Sequence, residues 1–469
     1  MTLHRTPIAV ALAAAALLAT PTPQAAAAPQ DVATALPAAT PANPASPDYD
    51  GDGKADLAVR LMSMHDAFPW YSWDIQVRYG SGSSAEVTHT DLGVGGYEID
   101  HALLARDLDR DGFTDLVVPT RYASGVKIHI IPGSAAGLQV ADKHSVTLPL
   151  REGDTSVTSL ALVESPVRRL AVATSIYWED SKGGHFEEGV QLLNLSSAGV
   201  PTGSPSKLKP GSGKIPKLVK GAGFGFAMDS WGSQLFIGAP DAKVNGKAEA
   251  GAVLAVTLDS AGVKSVKTIT QATKSVTGAV GKYDHFGAGL AARDGYLVVG
   301  TPGDDVGSIK STGSIQVFSL SKGAIKPLQR ISQASPGVPG KAERGDGFGY
   351  GVAIGTRCGG VPVVLVGGPS EAIVHDEADG SAWLVPLRKA KGCSASQIYE
   401  GHGLPGKPYF HGIGGIVAFV RDRGMANDDL VIGGYGYSTE QPGRLFWVSA
   451  ETGKVLVTLD GEFGHVAGR

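Results

Sequence analysis

The stretch FGAGLAARDGYLVVGTP, residues 286–302, joins a Phe-Gly dipeptide to a short apolar run that ends in Gly-Thr-Pro. Two variants of it, FGFAMDS…LFIGAP and FGYGVAI…VVLVGGP, occupy residues 224–240 and 348–369. The three Phe-Gly dipeptides are 62 residues apart, and a further step of 62 reaches Phe410. A fixed period of this length indicates a chain built from structural repeats.

Apolar runs extend the repeat over the whole chain after its N-terminal segment. There are seven of them: DLAV (56–59), DLVV (115–118), RLAV (169–172), QLFIGAP (234–240), YLVVGTP (296–302), VVLVGGP (363–369) and DLVIGG (429–434). Between them, short segments such as GAVLAVTL and GSIQVFSL are typical of strands, and helical periodicity is absent. Seven units of four strands predict an all-β fold, a seven-bladed β-propeller. A series of β-sandwiches would leave the single motif phase unexplained.

The two ends of the repeat region predict how the ring closes. The first unit begins at Asp48 without a Phe-Gly strand before its acidic loop, whereas the last residues, EFGHVAGR (462–469), form a Phe-Gly strand without an acidic loop after it. We therefore expect the C-terminal strand to complete the first blade, which would remove the open sheet edges.

Two acidic stretches, DYDGDGKADLAV (48–59) and DLDRDGFTDLVV (107–118), precede strands in the same phase. Oxygen ligands at alternate positions of a turn suit calcium, so the sequence predicts two calcium sites. The expected ligands are Asp48, Asp50, Asp52, Asp56 and the Lys54 carbonyl in the first loop, and Asp107, Asp109, Asp111, Asp115 and the Phe113 carbonyl in the second. The alternative is two solvated acidic turns. The seventh unit has Arg421, Arg423 and Met425 at the first three ligand positions and is expected to have lost its metal.

The three Phe-Gly stretches quoted above resemble the FG-GAP repeats of the integrin α-chain N-terminal β-propeller and its bacterial relatives, and the acidic stretches resemble the calcium loops of that family. The resemblance covers residues 48–469, is strongest in units four to six and is weak in unit three. It implies a seven-bladed propeller with calcium in loops that join the first and second strands of some blades. An inserted ligand-binding domain does not interrupt the second and third units, so integrin-like signalling is not implied.

Composition and the N-terminal segment bear on location. Residues 1–28 read as a signal peptide with an apolar stretch at Ile8–Ala19, too short to span a bilayer, and residues 29–47 as a Pro/Ala/Thr-rich linker. The alternative is an uncleaved membrane anchor. We expect a secreted, extracellular monomer without a membrane span. A net charge of -4 over 469 residues gives no footprint for nucleic acid. Cys358 and Cys393 are expected to form a disulfide or to remain two buried thiols.

A ligand face is predicted on the side of the ring opposite the acidic loops. Aromatic residues cluster in the expected loops between second and third strands: Trp70, Tyr71, Trp73, Tyr122, Tyr177, Trp178, Tyr435 and Tyr437. Exposed Trp and Tyr side chains suit sugar rings or peptide partners. The alternative is that these rings fold back to plug the ring or cover the blades.

The expected function is therefore extracellular binding or adhesion, to a glycan or a protein. A secreted hydrolase or lyase acting on polysaccharide is the alternative, with acid pairs such as Glu187/Glu188 and Asp304/Asp305 as its carboxylates. Nucleophile-elbow, Walker and zincin motifs are absent from the sequence, so no catalytic residue is assigned.

Overall fold

A computed structural model describes residues 47–64, 71–95, 99–100, 102–122, 125–150, 153–180, 183–321, 323–374, 379–438, 441–461 and 463–467. The expected signal peptide and nearly all of the linker lie outside this part of the chain. Within it, the strands form seven antiparallel sheets, the blades of a β-propeller. The fold predicted from the repeats is confirmed.

The strands of blades 1 to 3 run in this order from the ring axis outward: β29 (Phe463–Ala467), β1 (Leu57–Met64), β2 (Tyr71–Arg78), β3 (Ser84–Val87); β4 (Leu104–Arg106), β5 (Asp115–Tyr122), β6 (Gly125–Ile131), β7 (His144–Thr147); β8 (Asp154–Val163), β9 (Arg169–Asp180), β10 (Gly183–Leu195), β11 (Pro201–Leu208). One helical turn, α1 (His89–Leu92), and one 3-10 turn (Val140–Asp142) lie in connections of blades 1 and 2.

Blades 4 to 7 follow the same order: β12 (Met228–Trp231), β13 (Gln234–Ala239), β14 (Ala252–Asp259), β15 (Gly262–Ile269); β16 (Leu290–Arg293), β17 (Tyr296–Thr301), β18 (Ser314–Ser321), β19 (Ala324–Ile331); β20 (Val352–Arg357), β21 (Val361–Gly368), β22 (Ser381–Pro386), β23 (Ser396–Glu400); β25 (Ile416–Val420), β26 (Asp429–Ser438), β27 (Gln441–Val448), β28 (Val455–Gly461). Blade 6 carries an additional two-residue strand, β24 (Gly403–Leu404), parallel to β23.

The hydrophobic core is divided among the blade junctions. Every residue of β13 and of β17 is buried, because the second strand of a blade faces a neighbouring blade on both sides. In the outer strand β19, by contrast, Ile325 and Ile331 are the buried residues and the others are exposed or half-buried, as in a strand with one solvent face. Among the described residues there are seven buried apolar clusters, and each one joins two adjacent blades.

The ring closes as the sequence predicts. Strand β29 pairs antiparallel with β1, with Val59 opposite Val466 and Leu61 opposite Phe463. The apolar cluster between blades 7 and 1 includes Val466 and Ile416 as well as Val59. Closure therefore combines strand pairing with packing, and it gives β1 a partner on its inner side.

Contacts between glycines explain the repeat motif. The Gly that follows the second strand's apolar run lies against the Phe-Gly glycine of the next blade, too close for a side chain. A Cβ atom added to Gly238 would lie 2.2 Å from the Gly287 oxygen. Added to Gly300, it would lie 2.0 Å from the Gly349 oxygen, and added to Gly367, 1.8 Å from the Gly414 oxygen. The preceding Phe fills the apolar cluster at the same junction, as Phe286 does between blades 4 and 5.

Blade 7 departs from the 62-residue step. Gly380 bridges to Ile413 as Gly313 bridges to Phe348, and the Gly414 amide donates to the Gly433 oxygen. Ile413-Gly414 therefore takes the place of Phe-Gly, and the expectation that Phe410 does so is wrong. The connection that contains β24 makes this step longer, and Ile413 supplies the apolar side chain.

The disulfide is present between blade 6 hairpins. Cys358 and Cys393 are bonded, with their Cα atoms 5.7 Å apart. Cys358 lies between β20 and β21, and Cys393 lies between β22 and β23, so the bond joins two loops at one end of the blade.

Glu371, between β21 and β22, is a buried acid held by two amides. Its carboxylate accepts hydrogen bonds from Gln333 Nε2 at 2.8 Å and Gln397 Nε2 at 3.1 Å, and the residue is 3% exposed. Burial, with a smaller contribution from the Asp346 charge, raises the pKa of Glu371 from 4.5 to about 8. The folded chain therefore favours the protonated form of this side chain.

Glu371→Gln should flatten the dependence of stability on pH. Because the folded pKa is raised, the contribution of Glu371 is fully present below its unfolded pKa and is lost as the pH rises through about 8. Wild type should lose stability relative to the variant by up to about 1.4 kcal/mol per pH unit in this window. Urea unfolding at pH 5 and 8 measures the difference. Glu86→Gln, at an exposed position of β3, should show none, and a flat difference for Glu371→Gln would contradict the prediction.

Candidate functional site

The two acidic loops occupy equivalent places in blades 1 and 2. Residues 107–114 connect the inner strand β4 to β5, and residues 48–56 lead into β1, beside the inner strand β29. Both loops therefore lie at the same end of the ring, between the first and second strands of their blades. This is the location that the sequence predicts for them.

The loops are also alike in their hydrogen bonds. In each, the first Asp accepts an amide proton from the bend glycine, the third Asp accepts one two residues on, and the last Asp bridges the loop start to the next hairpin. The bonds are Gly53 N to Asp48 Oδ2 and Gly112 N to Asp107 Oδ2 (both 3.2 Å), Lys54 N to Asp52 Oδ1 (2.7 Å) and Phe113 N to Asp111 Oδ1 (2.8 Å), Gly80 N to Asp56 Oδ1 (2.9 Å) and Gly133 N to Asp115 Oδ1 (3.1 Å). The bend glycines have φ values of 88° and 97°, where a side chain would be strained.

Carboxylates converge in both loops. One oxygen each of Asp48, Asp50 and Asp56 lies within 4.8 Å of the others, and Asp107, Asp109 and Asp115 form the same arrangement. The remaining predicted carboxylates, Asp52 and Asp111, are exposed and accept the amides described above. Three converging carboxylates per loop are a set that a hard cation could use.

Electrostatics in the loops favour an added positive charge. Burial, with the neighbouring aspartates, raises the pKa of Asp56 and that of Asp115 to about 7. Asp48 is 2% exposed, and its Oδ1 atom has no hydrogen-bond partner within the described structure. An orphaned carboxylate oxygen beside two further carboxylates is costly unless something else satisfies it.

The loop of blade 7 is closed by arginines. Arg421 forms an ion pair with Asp428 inside its own loop. Arg423 reaches the first loop, where its Nη2 atom lies 2.9 Å from Asp48 Oδ2 and its amide donates to the Gly53 oxygen. The Arg421 guanidinium thus stays within the blade 7 loop, whereas that of Arg423 places a positive charge beside the first Asp of the blade 1 loop. The loss of a metal site in blade 7 stays a prediction.

A cavity of about 1110 Å³ extends along the ring axis, lined by the inner strands. At the end opposite the acidic loops, three aromatic side chains line its mouth. Phe226 is 49% exposed, Tyr350 44% and Tyr435 39%. The Tyr435 hydroxyl donates to the Gly415 oxygen at 2.9 Å, and burial raises the pKa of Tyr435 above its usual value, with nearby Tyr350 adding to the shift. We call this group the aromatic mouth.

Among the described side chains of the predicted ligand face, Tyr435 alone lies in the aromatic mouth. Trp70 lies outside the described residues, as do the side chains of Tyr71, Tyr122 and Tyr437. A contiguous face across these blades therefore stays a prediction.

The other predicted aromatic residues have local partners. The Arg60 guanidinium lies 3.5 Å from the centre of the half-buried Trp73 ring. Tyr177 is 42% exposed and donates to Glu179 Oε1 at 2.5 Å, and Trp178 stacks on His185 with ring centres 5.2 Å apart.

Phe226 and Tyr350 were missed from the sequence. Each follows the glycine of a Phe-Gly dipeptide, where blade 5 has Ala288. The variation at this one motif position, between Phe, Ala and Tyr, is the signal that could have identified them.

Comparisons with known proteins give the fold little further definition. No family model matches the chain, and no curated protein is significantly similar to it. Among solved structures, the chain is similar to the periplasmic gluconolactonase of Pseudomonas aeruginosa, with 14% identity, 88% of this chain and 99% of that chain covered, and a TM-score of 0.44. It is also similar to a putative 6-phosphogluconolactonase from Bacteroides uniformis, with 10% identity, 88% and 99% coverage, and a TM-score of 0.46. At these values neither likeness bears on activity.

No helix within the described residues has both the length and the apolar character needed to cross a membrane.

Proposed function

We propose that this chain is a secreted, FG-GAP-type propeller that binds a glycan at the aromatic mouth and is stabilised by calcium in the two acidic loops. The binding site and the calcium sites then lie at opposite ends of the ring. The disulfide between Cys358 and Cys393 supports an oxidising, extracellular location.

The exposed rings of the aromatic mouth carry the binding proposal. Phe226, Tyr350 and Tyr435 border one cavity, yet each keeps more than a third of its surface open. Flat apolar faces with a phenol hydroxyl beside them suit the apolar face and the hydroxyls of a sugar ring. A large cavity with a few placed polar groups is also the usual form of a ligand site.

Carboxylates expected for the alternative, a hydrolase or lyase, have structural partners where they are described. Lys207 pairs with Glu187, and the Gly223 amide donates to Glu188 Oε1 at 2.7 Å. Arg330 pairs with Asp304, and Lys310 pairs with Asp305. Three of these four acids are held in ion pairs with Lys or Arg, an arrangement that suits a structural carboxylate better than a general acid, and this favours binding over catalysis.

A polysaccharide and glycan array on residues 29–469, in millimolar calcium, tests the proposal, with released sugars assayed in the same wells. We expect retention without release, and a loss of about tenfold or more in affinity for Tyr350→Ala and for Phe226→Ala, since stacked aromatic anchors are typical hot spots. Tyr177→Ala, an exposed tyrosine that does not line the cavity, is the control.

Each other outcome has a definite meaning. Release of sugars would replace the binding proposal with the hydrolase or lyase. Equal losses for Tyr177→Ala and Tyr350→Ala would move the site away from the aromatic mouth. Absence of all retention would reject the glycan and leave a protein as the partner to seek.

The calcium part makes a separate prediction. At dissociation constants on the order of 0.1–1 mM, about 10 mM calcium should stabilise the protein by roughly 1.4–2.7 kcal/mol per site. Asp50→Asn and Asp109→Asn should each remove one site's gain, because each removes a converging charge while keeping an oxygen for the adjacent amide.

Thermal unfolding with and without calcium measures this gain. Asp142→Asn, an exposed acid outside the loops, should keep the full gain. Stability without calcium should change little in either loop variant. A double variant that gains as much from calcium as wild type would show that the loops are solvated acidic turns.

A further inference from the structure

Beside the aromatic mouth, a histidine and two acids from different loops come together. His285 Nδ1 lies 3.0 Å from Asp241 Oδ1, and His285 Nε2 lies 3.9 Å from Glu249 Oε2. One potential ligand atom from each of the three lies within 4.8 Å of the other two. Asp241 and His285 also line the axial cavity. We call this group the junction cluster.

The backbone at the junction of blades 4 and 5 brings these residues together. Asp241 and Glu249 belong to the connection between β13 and β14, and His285 precedes β16. The His285 amide donates to the Glu249 oxygen at 3.0 Å, which ties the two loops. His285 and Glu249 have φ values of 56° and 53°, in the left-handed region that residues other than glycine rarely adopt.

The next junction shows that the fold does not require these side chains. Between blades 5 and 6 the equivalent positions are Gly303, Ser311 and Gly347. The backbone frame there is the same. Gly347 donates to the Ser311 oxygen as His285 donates to Glu249, and the Phe348 amide bonds to Thr312 (3.0 Å) as the Phe286 amide bonds to Ala250 (3.1 Å). The junction of blades 4 and 5 therefore carries an imidazole and two carboxylates on a backbone arrangement that the next junction forms with Gly, Ser and Gly.

We propose that the junction cluster binds a transition-metal ion of the zinc type. One imidazole nitrogen with two carboxylate oxygens is a donor set for zinc, cobalt or manganese, whereas calcium prefers oxygen ligands alone. The side chains of Asp241, Glu249 and His285 are 40%, 42% and 32% exposed, so coordination positions remain open to water and to the cavity. Such an ion would border the same cavity as the aromatic mouth.

Metal uptake can be measured without any glycan, so this inference stands or falls independently of the proposed function. The experiment uses the tag-free chain, treated with chelator and then saturated with calcium to occupy the acidic loops. Zinc is titrated by calorimetry, and cobalt by its visible absorption. We expect one equivalent of either metal, and for cobalt a visible absorption band that indicates ligation by nitrogen and oxygen.

His285→Gly is the decisive variant, since it installs the residue that the next junction has at Gly347 and keeps the backbone conformation accessible. His285→Gly should abolish binding of the one equivalent of metal, and Glu249→Ser should weaken zinc affinity at least tenfold. His402→Gly, which removes an exposed histidine of blade 6, should bind as wild type does.

Two results would overturn the proposal. If neither metal binds to the calcium-saturated chain, the junction cluster is a surface ion pair. If His285→Gly takes up the full equivalent, the metal is bound elsewhere. Circular dichroism of His285→Gly would show whether the variant is folded, so that a loss of metal binding is not mistaken for unfolding.

Discussion

A chain that ends at Gly461 should lose the cooperative thermal transition of the full-length protein. The deletion removes β29, so the inner edge of β1 would have no partner, and Val466 would be lost from the apolar cluster between blades 7 and 1. At about 1 kcal/mol for each hydrogen bond between β29 and β1, together with the burial of one valine, the lost free energy of unfolding is roughly 5 kcal/mol. The ring would also open at this junction, which exposes apolar surface and strand edges to aggregation.

Differential scanning calorimetry and light scattering measure this loss. Removal of Gly468 and Arg469 alone is the control, since both follow β29. Val466→Asp is a milder form, because it keeps the strand but places a charge where the residue is 6% exposed. An unchanged transition in the chain that ends at Gly461 would show that strand closure contributes little.

Complementation distinguishes closure from general damage. A synthetic peptide of residues 461–469 carries the whole of β29 and can add to the free edge of β1. Added in excess to the shortened chain, it should restore part of the lost stability in a concentration-dependent way. The same peptide with Val466→Asp should not.

The blade number and the ring closure were predictable because both follow from local pattern. The junctions between blades 4 and 5, 5 and 6, and 6 and 7 repeat one contact, between an apolar residue and two glycines, and the apolar runs extend the count to the other blades. The acidic loops were predictable for a similar reason. Their bend glycines and spaced aspartates are the residues that make the loop's own hydrogen bonds.

Other features depend on distances that no local pattern contains. Variation after the Phe-Gly dipeptide singles out the positions of Phe226 and Tyr350, but their exposure depends on the width of the axial cavity, which the sequence does not contain. The junction cluster joins residues of two blades whose separation is set by the ring. Phe410 was misplaced because the β24 connection lengthens one step, while Ile413 satisfies the same packing without matching the motif.

Gly300→Ala should destabilise the protein by more than about 4 kcal/mol, a value reserved for severe defects. A methyl group there would lie 2.0 Å from the Gly349 oxygen and 3.3 Å from Gly289 Cα, and both are backbone atoms that no rotamer change can move. Two hydrogen bonds also fix Gly300 in place, to the Gly287 amide at 2.9 Å and the Gly289 oxygen at 2.8 Å. Relief would therefore require blades 5 and 6 to separate, which would open the apolar cluster between them.

Urea unfolding of Gly300→Ala beside Gly307→Ala isolates this contact. Gly307 has a φ of 62°, and a methyl group added there would meet no atom of the described residues within 4 Å. Its substitution therefore costs only the left-handed strain of about 1–2 kcal/mol. Gly300 itself is outside the left-handed region, so a loss there no larger than that of Gly307→Ala would show that the blades relax around the added methyl group and that the close contact contributes little. A much larger loss at Gly300 would show that the repeat keeps its glycines because adjacent blades touch there through their backbones.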